Sequence, residues 1–256
     1  TFLRTARCPE FKTKKGQRQA TRELNESAID GIITIGGDGT MRGTHILAEL
    51  GFPVIGVPAS IDNDIWGTDM SLGVDTALNT IREAVDKLRD TASSHQRAFL
   101  VVTMGRNCGY LALISGVICG AEVVIIPENE IPIDQISKEI SDAYDRGKSH
   151  SIIIMSEGAS YKPEDVASKL VEDDCGFETR ITILGHVVRG GSPSAFDRIL
   201  GTRMGVKAVR ALIAGESDVM TGLKGRDIVM RKLEDVVSQS RQVNLEYFEI
   251  AKMLSR

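Results

Sequence analysis

The stretch PASIDNDIWGTD, Pro58–Asp69, sets three carboxylates, Asp62, Asp64 and Asp69, within eight residues directly after an apolar run. Beside a metal-bound phosphate, one carboxylate can take a proton from an attacking hydroxyl while another orients the first or helps hold the metal. Upstream, IGGDGT (Ile35–Thr40) places Gly36, Gly37 and Gly39 around Asp38, again at the end of an apolar run. Glycines let backbone come close to a phosphate, and a helix starting there offers free N–H groups and partial positive charge. Asp38 is badly placed against a bare phosphate but well placed against a magnesium ion that screens one. Two plainer readings stand beside these: a tight turn capped by Asp38, and an Asx-rich turn with exposed carboxylates.

These residues need elements to carry them. The runs 29–37, 53–58, 98–105, 121–127 and 150–158 are short, apolar and rich in β-branched residues, which predicts buried strands. Amphipathic segments at 41–50, 73–90, 109–119, 134–147 and 163–172 alternate with them as helices, and 173–180 is expected as a loop. Alternation of this kind predicts an α/β fold with mostly parallel sheets covered by helices on both faces. Ligands then bind beyond the carboxyl ends of the strands, where both acidic turns fall.

With 31 basic and 35 acidic residues the chain carries a formal charge of −4, which gives no support to nucleic acid as a partner. Its 256 residues suffice for one large α/β domain or two ordinary ones. Four dispersed cysteines, without C-x-x-C or zinc spacing, read as free thiols in a reducing compartment. No apolar stretch is long enough for a membrane span, and no signal peptide opens the chain. The first residues, TFLRTARCPEF, read as though the chain enters mid-fold.

IDNDIWGTD is similar to the signature segment of 6-phosphofructokinases, and the likeness continues through TARCPEF (5–11), IGGDGT (35–40), SSHQR (93–97), MGRNCGYLAL (104–113), GAEVVIIPE (120–128) and ETRITILGHVVRGGSPSAFDR (178–198). Lipid kinases and NAD kinases share the glycine turn and none of the rest. The resemblance implies two Rossmann-like three-layer α/β/α domains that exchange segments. It places 1–73 plus 188–238 on the ATP side and 74–187 plus 239–256 on the fructose 6-phosphate side.

It further implies magnesium-dependent transfer of the γ-phosphoryl of ATP to the 1-hydroxyl of fructose 6-phosphate, a cytoplasmic step of glycolysis. Asp62 would be the proton acceptor. Asp38 would lie near the magnesium-nucleotide, with Asp64 positioning metal and base and Ser60, in place of the more usual threonine, beside the transferring group. Arg106 would neutralise developing charge. Arg7, Cys8, Gly36, Gly37, Gly39 and Thr40 match nucleotide-contacting positions. His186 and Arg189 would hold the 6-phosphate from one subunit and Arg97 and Arg180 from a neighbour, with Met104, Gly105 and Glu157 around the sugar. Shared sites imply a homo-oligomer, a tetramer in the common form of the family.

Arg89, Gly120, Glu122, Arg146, Lys148 and His150 match the allosteric effector positions of bacterial members, although basic residues near a helix C-terminus also simply offset its dipole. Relatives that use pyrophosphate carry aspartate where this chain has Gly39 and lysine where it has Ala59, so ATP is the expected donor. The alternatives are a pyrophosphate-dependent enzyme, or a non-catalytic sugar-phosphate-binding regulatory subunit or fragment. The strand and glycine-rich turn that open the family are expected to precede Thr1.

Overall fold

The computed structural model describes Ala6 and residues 8–254, which form eight strands and nine α-helices among the described residues. They fall into two compact units: Thr1–Ser60 with Ile65–Ser71 and Ile199–Ser240, and Ile61–Asp64 with Leu72–Arg198 and Arg241–Arg256.

The first unit is built on β1 (Ile32–Gly36), β2 (Val54–Pro58), β7 (Val219–Lys224) and β8 (Asp227–Lys232), side by side in that order. β1, β2 and β7 run parallel, and β8 returns antiparallel along β7. β2, VIGVP, is buried throughout, as a central parallel strand covered on both faces must be. Its Gly56 is needed because a Cβ there would meet the Met41 sulfur at 2.6 Å. Helix α1 (Lys14–Glu26) buries no residue, whereas α2 (Asp38–Glu49) buries Met41, Thr44 and Leu47. Met41 joins Ile65, Met220, Leu233 and Val236 in a core against which Trp66 packs. This unit also holds most of α7 (Ala195–Ile213) and α8 (Leu233–Ser238).

The second unit has a wholly parallel sheet in the order β4 (Val123–Ile125), β5 (Ser151–Ser156), β3 (Arg97–Thr103) and β6 (Glu178–Ile183). Its helices are α3 (Val74–His95), α4 (Tyr110–Cys119), α5 (Ile133–Asp145), α6 (Pro163–Glu172) and α9 (Glu246–Leu254). Leu100, Ile125, Ile153, Ile136 and Ile140 fill its core, with Phe248 packed against them. The α3 N-terminus is capped from afar: Gly73 and Thr76 donate their N–H groups to the Asp197 carboxylate at 2.9 Å each.

The expected α/β fold with mostly parallel sheets therefore forms. Three strands escape the apolar-run reading: β6, which begins inside the expected loop 173–180, and the pair β7 and β8. The unit boundaries also differ from the expected division. Ile61–Asp64 and the residues 188–198 pack with the second unit. The Asp197 cap on α3 and the hydrogen bond from Arg241 N–H to the Asp64 carbonyl (3.4 Å) are the physical reason.

Candidate active site

In the first unit, Gly36 is paired with Pro58, so the residues after β1 and after β2 leave the sheet at the same edge. Gly37 caps α2 in extended conformation, and Asp38, Gly39 and Thr40 form its first turn. Ala59 donates its N–H to the Gly36 carbonyl at 2.8 Å, and a Cβ on Gly37 would lie 3.7 Å from that of Ser60. A Cβ on Gly36 would come within 2.2 Å of the Thr40 hydroxyl, whereas one on Gly39 would meet nothing within 4 Å. The third glycine thus leaves open space at a helix N-terminus, the geometry that accepts an anion. Asp38 accepts a hydrogen bond from Arg42 at 2.9 Å across one helical turn and stays half-exposed. Cys8 is exposed, with its sulfur 3.5 Å from the Glu10 carboxylate; Arg7 lies outside the described residues.

In the second unit, three loops again leave one sheet edge together, because Thr103 is paired with Ser156 and Val102 with Ile183. They carry Met104–Arg106, Glu157, and the 3₁₀ turn Gly185–Arg189 with His186 and Arg189. Gly105 has φ +126°, a conformation open to glycine, and the Ser156 hydroxyl donates to its carbonyl at 2.5 Å. Met104 is buried and Arg106 exposed.

The Ile61–Asp64 turn belongs to the same unit. Its Asn63 is fully buried in the left-handed region at φ 53°. Burial first, and then the neighbouring Asp64, push the Asp62 carboxyl above its ordinary value of 3.8; Arg189 opposes the shift, Glu157 adds to it and Arg106 opposes it. Four of the residues singled out from sequence, Asp64, Arg189, Glu157 and Arg106, thus act on Asp62. The arrangement can accept a proton at a desolvated carboxylate while two guanidinium groups balance anionic charge.

Arg97 and Arg180 stand apart from this group. Arg97 opens β3, roughly 20 Å of extended chain from Thr103. Its Nε donates to Glu178 at 2.6 Å, and Arg180 pairs with the same carboxylate. The expected effector residues are largely gathered elsewhere in the unit. Glu122 accepts from Lys148 at 3.0 Å and from the Ile152 N–H at 2.6 Å, and Arg89 donates to the Cys119 carbonyl. Gly120 ends α4 in the left-handed conformation, and Arg146 caps the C-terminus of α5. His150 contacts the Ser93 hydroxyl at 3.0 Å, and its pKa is lowered, chiefly by burial.

Three supporting residues went unread in the sequence. Ser156 holds Gly105, and Glu128 accepts the Gly109 N–H at the start of α4 at 2.8 Å. Tyr110 bonds Asn63. Ser156 and Tyr110 sit beside residues already chosen, at the end of a strand and the start of a helix, and that adjacency was the available signal.

Residues 1–212 match the family described as Phosphofructokinase. The chain is 48% identical over 255 residues to an ATP-dependent 6-phosphofructokinase of Natranaerobius thermophilus, and 49% over 256 residues to one of Thermotoga neapolitana. Each match covers all of this chain and 79% or 80% of the relative. The fold is similar to that of Pichia pastoris phosphofructokinase in the T-state, with a TM-score of 0.87 at 36% identity. That match covers 93% of this chain and 28% of the other. A pyrophosphate-dependent phosphofructokinase from Marinobacter aquaeolei shares the fold at TM-score 0.79 and 21% identity. On motif, sequence and fold together, the chain belongs to the phosphofructokinase family.

Proposed function

We propose that the chain transfers the γ-phosphoryl of ATP to the 1-hydroxyl of fructose 6-phosphate, yielding fructose 1,6-bisphosphate and releasing ADP, in glycolysis. The observation that carries the reading is the electrostatic group around Asp62, a carboxylate raised by burial and Asp64 and faced by Arg189 and Arg106. Asp62 takes the proton of the 1-hydroxyl as the oxygen attacks phosphorus. Asp64 orients Asp62, and Arg106 balances the charge that spreads over the phosphoryl oxygens. Arg189 and His186 hold the 6-phosphate, Arg189 with a planar fork suited to it, and Met104, Gly105 and Glu157 line the sugar.

The glycine turn Gly36–Thr40 receives the nucleotide phosphates, with Arg7 and Cys8 as further contacts and Ser60 beside the transferring group. Among the described residues no three His, Cys, Asp or Glu side chains cluster to form a closed metal cage. One half-exposed carboxylate at a helix start nonetheless suits magnesium, which is usually held by substrate phosphates and a carboxylate or two. Asp38 would hold that ion, and the ion would screen the phosphate charge. Gly39 and Ala59 leave room for a nucleotide and carry no lysine for pyrophosphate.

Arg97 and Arg180 lie apart from the Asp62 group, which fits service to a neighbouring subunit in a homotetramer. The Arg89, Gly120, Glu122, Arg146, Lys148 and His150 group is the proposed effector site. The cytoplasm is the proposed compartment, in keeping with four unpaired cysteines and no described helix long and apolar enough to cross a membrane. A coupled assay with fructose 6-phosphate and either magnesium-ATP or pyrophosphate tests the reading. Turnover with ATP supports it; turnover with pyrophosphate alone, or none with either donor, overturns it. Sedimentation of the intact protein tests the tetramer, and nucleotide titration of its fructose 6-phosphate saturation curve tests the effector site.

A further inference from the structure

The turn that carries Asp62 has a feature the reaction alone does not explain. Asn63 stands between the two acidic residues, fully buried and at φ 53°. Left-handed backbone costs a non-glycine residue energy and persists only where surroundings over-determine it, a cost that asparagine lowers. Two distant residues supply those surroundings. The Asn63 side chain is hydrogen-bonded to the hydroxyl of Tyr110, the first residue of α4. The Arg241 guanidinium lies over the Tyr110 ring, 5.3 Å from its centroid, and the Arg241 N–H donates to the Asp64 carbonyl at 3.4 Å.

The turn is therefore held from both sides. Tyr110 grips its middle residue, and Arg241 braces Tyr110 while reaching the turn's end through its own backbone. A cation over an aromatic face is attracted by the ring quadrupole, the more so away from water. We propose that Arg241 and Tyr110 form a clamp that fixes the Asn63 turn and thereby sets the reach of the Asp62 carboxylate, making both of them positioning residues for phosphoryl transfer. This deepens the proposed function and rests on it.

The side chains act through the turn and touch neither substrate in this scheme, so their loss should lower kcat rather than raise KM. Displacing a catalytic group by an ångström can cost on the order of a hundredfold in rate. In the intact chain, Arg241→Ala is expected to lower kcat about tenfold or more, with KM for fructose 6-phosphate and for ATP within about twofold. Arg241→Lys keeps a cation over the ring and should restore most of the rate. Tyr110→Phe keeps the ring and loses only the hydroxyl, so its loss should be smaller. Added to Arg241→Ala it should cost less than it does alone, because the two act as one unit.

Amide hydrogen exchange gives a readout that needs no turnover. In Arg241→Ala the amides of Asp62–Asp64 should exchange at least about tenfold faster, while those of β5 stay unchanged. Faster exchange with a kcat fall and steady KM supports the inference. Unchanged exchange at the turn overturns it, as does faster exchange with unaltered kcat. A wild-type chain that phosphorylates no fructose 6-phosphate, but whose Arg241→Ala turn still exchanges fast, would sink the proposed function and leave the clamp standing.

Discussion

The two units present their chemistry in opposite ways. In the first, the turn Gly36–Thr40 offers backbone: an open glycine position at Gly39, a helix start, and one half-exposed carboxylate whose partner is a neighbour on the same helix. In the second, side chains do the work. Asp62 is partly desolvated and set beside Asp64 of its own turn, with Arg189, Glu157 and Arg106 acting on it from three different loops. Backbone donors suit a group recognised mainly by charge and shape, such as a polyphosphate. A desolvated carboxylate suits a proton transfer, for which its basicity must be tuned. Substitutions in the glycine turn should therefore act on nucleotide binding, and substitution of Asp62 on rate.

The sharpest test is Asp62→Asn, which keeps size and removes basicity. Loss of general-base catalysis predicts a kcat lower by about 10²–10⁴-fold, with KM for both substrates nearly unchanged. Thermal unfolding should move the other way. Burial raises the Asp62 pKa in the folded state, so the charged form is disfavoured there, and at neutral pH the carboxylate costs stability. The asparagine variant should unfold at a higher temperature at pH 7, and the gain should vanish once the wild-type carboxyl is protonated in folded and unfolded chains alike. A variant with full turnover would break the contrast between the units outright.

The same shift sets the acid side of the pH profile. A base must be ionised to accept the proton, and the raised Asp62 pKa means that protonation begins at higher pH than for an ordinary carboxylate. The kcat/KM of the wild type should fall on acidification earlier than an unshifted aspartate would dictate. Arg189→Met removes an opposing positive charge and should move that fall to higher pH still, besides weakening sugar-phosphate binding. Movement to lower pH would contradict the arrangement around Asp62.

A smaller effect is expected in the first unit. A Cβ on Gly39 would meet nothing within 4 Å, so Gly39→Ala should leave thermal stability intact or slightly raise it, since alanine favours a helix. If phosphate approaches this turn, the methyl group should raise KM for ATP about tenfold and change kcat little. Gly36→Ala makes the control, because its Cβ would collide with Thr40 and should lower stability as well. An unaffected KM in Gly39→Ala would mean that the turn is only a cap.

What could be read in advance follows the same physics. Strands β1 to β5 and helices α2 to α6 were legible because parallel strands read as continuous apolar runs between amphipathic segments, although β1, at the edge of its sheet with Ile35 exposed, is not buried as the apolar run predicts. β6 was not, since ETRITI is an edge strand whose Glu178, Thr179, Arg180 and Thr182 break the run. α1 buries nothing and so leaves no apolar stripe to recognise. At the site, Asp38, Asp62 and the glycines were visible because their chemistry is local to a motif. Arg241 was not: it stands in a polar stretch, and its value comes from a ring 131 positions earlier in the chain. Sequence spacing locates residues that share a turn, while residues that brace the turn are found only once the chain is folded.

The mildest test concerns the cysteines, which divide along the same line. Cys8, of the first unit, is exposed, whereas Cys108, Cys119 and Cys175 of the second are buried. Burial pushes the thiols of Cys108 and Cys119 up to about 11, since a thiolate there would lack water. The thiolate is the reactive form, so at pH 8 a disulfide reagent should modify a single thiol quickly in the native chain and all four after unfolding. Cys8→Ser should abolish the fast phase and leave stability unchanged, because Cys8 is exposed and, among the described residues, its sulfur hydrogen-bonds only the exposed Glu10 carboxylate. If magnesium-ATP slows the reaction of Cys8, the residue lies close to the bound nucleotide. If saturating nucleotide leaves the rate unchanged, Cys8 drops out of the nucleotide contacts, and the glycine turn must hold the phosphates without it.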